Sequence, residues 1–186
     1  ADDTVVGVGE QLKKVLEEKY HVAVCHDLSV YDMQDGKEDR NKAYSQAAVA
    51  VQNLLDEHPS IEVTIDLHRD GVPDNVHLET EINGKKTAKI MFLNGLCRNS
   101  NGDVNDFAQN PNLSDNLAFS LQLQLKAKAY FPELVRHIYL RAYRYNLHFK
   151  PRSLLVEVGA QNNTVAEAKN AMEPLADILY AVLSGK

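Results

Sequence analysis

Apolar side chains recur along this chain with two different periods, and the switches between them mark its elements. In "VVGVGEQLKKVLEEKY" (5–20), Val5, Val8, Leu12, Val15 and Leu16 form one stripe with charges opposite, which predicts an amphipathic helix. "HVAVCHD" (21–27) then alternates Val22 and Val24, the period of a short strand. The polar run "DMQDGKEDRNK" (32–42) predicts a loop. "AYSQAAVAVQNLLDEH" (43–58) returns to helical spacing through Ala47, Val51, Leu54 and Leu55, and Pro59 ends it. "SIEVTIDLH" (60–68) is rich in β-branched residues and sets Ile61, Val63, Ile65 and Leu67 on one face of a strand.

Further along, "VHLETEINGKKTAKIMFLNG" (76–95) predicts a hairpin, because Asn83-Gly84 supplies the two positive φ angles of a type I′ turn. "LCRNSNGDVNDFAQNPN" (96–112) is a polar loop longer than a compact domain usually keeps without a use for it. In "LSDNLAFSLQLQLKAKAY" (113–130) the helical spacing of Leu117, Leu121 and Leu125 competes with the alternation of "LQLQLKAKA". The Ser114-Asp115-Asn116 start and the absence of β-branched residues select a helix. "HIYLRAYRYN" (137–146) and "SLLVEVG" (153–159) predict strands. "TVAEAKNAMEPLADILYAVL" (164–183) predicts a helix with a Thr164–Glu167 capping box, a stripe of Ala168, Met172, Leu175, Leu179 and Val182, and a kink at Pro174. Such alternation predicts one α/β domain over residues 1–186, with a mixed, largely parallel central sheet flanked by helices. The chain opens on a helix where such folds commonly open on a strand, so the first strand is expected to be missing.

Composition narrows the function. With 186 residues, 44% hydrophobic and 25% charged, the chain is long enough for one sizeable core. A net charge of −6 without a basic stripe argues against nucleic-acid binding. No run approaches the ~18 apolar residues of a membrane span, and "ADDTVVGVGE" does not read as a secretory leader. Cys25 and Cys97 are too few for a disulfide framework and fit either two thiols or one bridge.

Two ionisable residues sit where chemistry is expected. In open α/β sheets ligands bind beyond the carboxyl ends of the strands. His68 ends "VTIDLH", and Glu157 lies among Leu155, Val156 and Val158, a costly place for a carboxylate unless a metal, a water or a cation compensates it. Each has a plain structural alternative. His68 would bond a loop, Glu157 would pair with an arginine, and Arg69 and Asp70 would pair with each other or fix the loop. Among the other histidines His26, beside Asp27, is best placed for a site. There is no H-E-x-x-H, Walker loop or nucleophile elbow.

The ordered segments "VGEQL" (8–12), "HDLSVYD" (26–32), "TIDLHRD" (64–70), "AKIMFLNG" (88–95), "NLAFSLQL" (116–123), "RYNLHFKP" (144–151) and "LLVEVGAQNNTVAEA" (154–168) resemble the stage II sporulation protein P family. These are zinc-dependent peptidoglycan amidases of endospore-forming bacteria. "LLVEVGAQNNT" is also similar to the closing motif of the wider N-acetylmuramoyl-L-alanine amidase superfamily. The resemblance implies an amidase-like fold, Zn2+ as cofactor, His68 as a metal ligand and Glu157 as the catalytic residue. It puts Arg69, Asp70 and Asn146 near the site as substrate contacts or supports. It further implies cleavage of the amide between N-acetylmuramic acid and the L-alanine of the stem peptide during sporulation engulfment. The work would be done outside the cytoplasmic membrane, with a glycan-cleaving sporulation partner and a membrane anchor that is not in this chain. The family's first metal motif, similar to His-Thr-His-Thr-x-Glu after an opening strand, does not occur here. It would precede residue 1, and an N-terminally incomplete domain is therefore expected. The alternative is a peptidoglycan-binding scaffold that keeps the fold without a complete metal site; a zinc exopeptidase would share the metal logic.

Overall fold

A computed structural model describes residues 3–31, 33–34, 37–38 and 40–186. Helix α1 (Val5–Tyr20) starts at Thr4, whose hydroxyl accepts from the Val6 amide, and buries Gly7, Val8, Leu12 and Leu16. It ends at His21, whose φ of 55° turns the chain so that Val22 N–H reaches the Leu16 carbonyl. Residues 21–31 then run without regular structure, and the strand expected over 21–27 does not form. Val22 and Val24 still pack on the core, but the Val24 amide donates to the Glu17 side chain rather than to a neighbouring strand. Alternation gave the burial correctly and the ladder wrongly. A short ribbon, β1 (Met33–Gln34) with β2 (Lys37–Glu38), falls in the expected loop, of which residues 32, 35, 36 and 39 lie outside the described residues. Helix α2 (Arg40–Glu57) follows.

The central sheet is built from β3 (Val63–Asp70), β6 (Ile90–Gly95), β7 (Tyr139–Arg141) and β8 (Arg152–Ala160) in the order β3-β8-β6-β7. The β3–β8 and β6–β7 pairings are parallel and β6–β8 is antiparallel, so the sheet is mixed and mostly parallel. The expected hairpin over 76–95 resolves into two parts. Strands β4 (Glu79–Ile82) and β5 (Lys85–Ala88) turn at Asn83 and Gly84, with φ of 52° and 75°. The apolar run "IMFL" instead enters the central sheet as β6, buried on both faces.

Helix α3 (Leu113–Tyr130) forms, with a different face inward. Asn116, Phe119, Ser120, Leu123 and Ala127 are buried, while Leu121 and Leu125 are 51% and 62% exposed. Polar residues drive this orientation. Asn116 donates to the Lys150 and Pro151 carbonyls, and the Ser120 hydroxyl meets the Asn94 amide oxygen at 3.1 Å. The strand expected over 137–146 shrinks to β7, and beyond it Tyr145 and Asn146 adopt left-handed φ of 52° and 57° that no strand could carry. The last helix is two, α4 (Val165–Asn170) and α5 (Met172–Leu183). Pro174 has no N–H to give the Asn170 carbonyl, so the break falls one turn before it. The Thr164–Glu167 capping box is present.

One face of the sheet (Ile90, Phe92, Leu154, Val156, Val158) packs against Val8 and Leu12 of α1, Leu123 of α3, and Leu175 and Leu179 of α5. The opposite face carries a smaller cluster of Leu93, Leu147 and Leu155 with Tyr145. Cys25 is exposed, Cys97 is buried, and both are free thiols. Among the described residues no helix is long and apolar enough to cross a membrane.

Candidate active site

The parallel pairing of β3 with β8 sets His68 directly beside Glu157. Paired residues share a sheet face, and side chains alternate along each strand. Asp66, His68, Leu155 and Glu157 therefore lie on the smaller-cluster face, with Met91 of β6 on the far side of Glu157. The two residues singled out by their positions in the sequence are neighbours in space.

Around them the polar groups are ordered. Asp66 Oδ1 stands 2.8 Å from His68 Nε2. Burial opposes charge on His68, but the hydrogen bond with Asp66 and the charges of Asp66 and Glu157 outweigh it and raise its pKa. The Tyr44 ring, from α2, lies parallel to the imidazole at 3° with centroids 6.3 Å apart. Its phenol is held well above the usual range, first by burial and then by Asp66, Tyr145 and Glu157. Glu157 Oε2 is buried without a hydrogen-bond partner. Burial raises the pKa of this carboxyl above the ordinary carboxylate value; Asp70 and Asp66 add to the rise, and His68 and Arg136 oppose it. A carboxylate in that state is poised to take a proton or to face a cation.

The remaining predicted residues lie close by with distinct partners. Asp70 Oδ2 is held by Arg136 Nη1 at 2.7 Å. Arg69 donates to the carbonyls of Ala160 and Asn163, which ties the end of β3 to the turn before α4. Asn146 donates to the Tyr44 carbonyl at 2.7 Å and so fixes the start of α2 over the site. His26 has partners of its own on α1, with Nδ1 3.1 Å from Glu10 Oε2 and its ring against Gly9. Sequence reasoning missed Asp66, Tyr44 and Arg136. Asp66 had a weak signal, since strand alternation sets it on the same face as His68, two residues before it. Tyr44 and Arg136 had none, because their positions depend on packing between distant elements.

The donor set around His68, one imidazole with carboxylates beside it and an orphaned carboxylate oxygen, suits zinc chemically. Among the described residues these groups do not close into three converging ligands. The one trio that does is His77, Glu79 and Glu167, whose ligand atoms lie within 4.8 Å of one another. Its donors are already engaged. Glu167 Oε2 accepts from Asn163 (2.9 Å) and the Thr164 amide (3.1 Å) and meets His77 Nε2 at 2.8 Å, while Lys86 stands 3.6 Å from Glu79. As built, the trio clasps the segment before β4 to α4.

The fold is that of the N-acetylmuramyl-L-alanine amidases. The chain superposes on the CwlD amidase from Clostridioides difficile, solved in complex with the GerS lipoprotein, with TM-score 0.57 and 12% identity over 97% of this chain and 82% of that one. It is similar to the amidase Ami1 from Mycobacterium smegmatis, with TM-score 0.50 and 14% identity over 96% of this chain and 72% of that one. The likeness to Ami1 from Mycobacterium abscessus is of the same order, with TM-score 0.50, 14% identity, and 98% and 76% covered. Residues 1–180 match the model of stage II sporulation protein P, and the chain belongs to that family. No curated protein matches it.

Proposed function

We propose that this chain is the catalytic part of a zinc-dependent peptidoglycan amidase that cuts between N-acetylmuramic acid and the L-alanine of the stem peptide. The observation that carries the reading is the pairing of His68 with Glu157, whose inner oxygen has no partner. His68 would hold the metal, with Asp66 fixing the ring's orientation. Zinc, when bound, supplies Lewis acidity that polarises a carbonyl and acidifies water. Glu157 accepts a proton from the attacking water and returns it to the departing alanine nitrogen. Its apolar strand raises its basicity toward the working range. Tyr44 lies alongside His68, and Arg136 keeps the Asp70 carboxylate engaged. By family, the setting is the extracytoplasmic face of the membrane during sporulation engulfment, with peptidoglycan as the partner and a glycan-cleaving protein acting beside it.

The test is Glu157→Gln in the full-length protein. Release of stem peptides from purified sacculi, followed by mass spectrometry, should fall at least ~100-fold with zinc content unchanged. Near-normal release would remove Glu157 from the reaction. A non-catalytic scaffold is the second reading, favoured by the absence of a closed three-ligand set around His68 among the described residues. It requires that the unaltered protein bind sacculi and release nothing.

A further inference from the structure

A line of aromatic rings leads from His68 to the protein surface. Tyr44 lies parallel to the imidazole, Tyr145 meets Tyr44 edge-on with centroids 5.5 Å apart, and Tyr143 meets Tyr145 edge-on at 5.9 Å. The outermost ring, Tyr143, is 69% exposed. Tyr139 flanks this line. The register runs Asp66–Leu155–Leu93–Tyr139 across the four strands, so Tyr139 emerges from the same sheet face as His68 and Glu157. It is 45% exposed, and the Arg141 guanidinium lies 5.5 Å from its ring centre.

These exposed rings stand on fixed backbone. The Leu96 and Arg98 amides donate to the carbonyls of Arg141 and Ala142 at 2.7 and 2.8 Å. A Cβ at Gly95 would come within 2.1 Å of the Tyr143 carbonyl oxygen, so the segment is seated directly on β6 where only glycine fits. Tyr145 and Asn146 hold left-handed φ, and Asn146 bonds the Tyr44 carbonyl. Tyr143 and Tyr139 leave their rings largely in water on this rigid frame while Tyr44 and Tyr145 are half-buried. Exposed rings held in place mark a binding surface, since folding gains little from a ring left in water.

We propose that Tyr44, Tyr145 and Tyr143, with Tyr139 alongside, form a saccharide track that seats the glycan strand of the substrate next to the reacting bond. A pyranose ring presents a flat face of C–H groups and a rim of hydroxyls and amides. Tyrosine matches both, with an apolar face and a phenol at its edge. The track reaches His68 through ring contacts, which favours part of the same substrate over an unrelated partner. The proposal rests on the amidase reading for what lies at His68, but binding to sugar alone can be measured without cleavage.

The experiment is equilibrium binding of the full-length protein to glycan strands stripped of their stem peptides, with Tyr143→Ala and Tyr143→Phe as variants. Loss of one stacked ring should weaken binding by about tenfold in the alanine variant. The phenylalanine variant should stay near the unaltered protein, and the melting temperature of both should be unchanged. Equal binding by Tyr143→Ala, or no binding of peptide-free glycan by the unaltered protein, overturns the track. So does a Tyr143→Ala variant that loses self-association while still binding glycan, which would make the face a contact between copies. If Tyr143→Ala loses glycan while Glu157→Gln still cleaves, the track stands and the assigned role of Glu157 falls.

Discussion

Glu157 keeps a carboxylate oxygen where neither solvent nor a donor satisfies it, a state that folding alone does not favour. Its strand could have been completed with another valine. It stands beside His68, and burial raises its carboxyl above the ordinary carboxylate value, which is the state the proposed proton transfer calls for. Asp66 stands against the imidazole, with Oδ1 2.8 Å from His68 Nε2. If His68 binds zinc, Asp66→Asn in the full-length protein should weaken zinc binding by roughly 10–100-fold in a chelator competition, with secondary structure intact. Unaltered affinity would make the Asp66–His68 contact a strand-end hydrogen bond and nothing more. The two main residues were legible in the sequence for different reasons: Glu157 is ionisable where the apolar pattern calls for none, and His68 ends a strand where ligands of open α/β sheets bind. Tyr44 was not legible, because nothing local to residue 44 shows that its helix will lie over His68.

At the level of elements, the pattern identified types better than faces. Helix α3 was expected from its residues, yet the leucines at 121 and 125 face water. Hydrophobicity alone could not show that Asn116 and Ser120 have partners waiting in the 150–151 segment and in Asn94. A stability comparison checks this orientation. Leu123→Ala should cost about 2–5 kcal/mol in urea unfolding, whereas Leu125→Ala should change stability by less than about 0.5 kcal/mol. The opposite ranking would mean that α3 is rotated. Segment 21–27 makes the complementary point, since its valines are packed as expected while its backbone bonds to a helix side chain instead of a ladder. The split of 76–95 has a physical sign in retrospect: "IMFL" lacks the alternation of a hairpin arm with one face in water.

For the whole molecule, the sheet separates two tasks. One face is closed by α1, α3 and α5 into the main core, and the other carries Asp66, His68, Glu157 and the tyrosine line under the start of α2. The class and the mixed sheet could be read from the order of elements, but the convergence of residues 68 and 157 required the β3–β8 register, which no local pattern encodes. The central claim is that these two side chains act as one unit. Residues that share a catalytic step lose their effects non-additively. The most direct measurement is therefore the stem-peptide release rate of full-length His68→Ala, Glu157→Gln and the double variant. We expect each single change to remove nearly all activity and the double to be no slower than the worse single. Losses that multiply in the double, or a single variant near the unaltered rate, would contradict a shared centre.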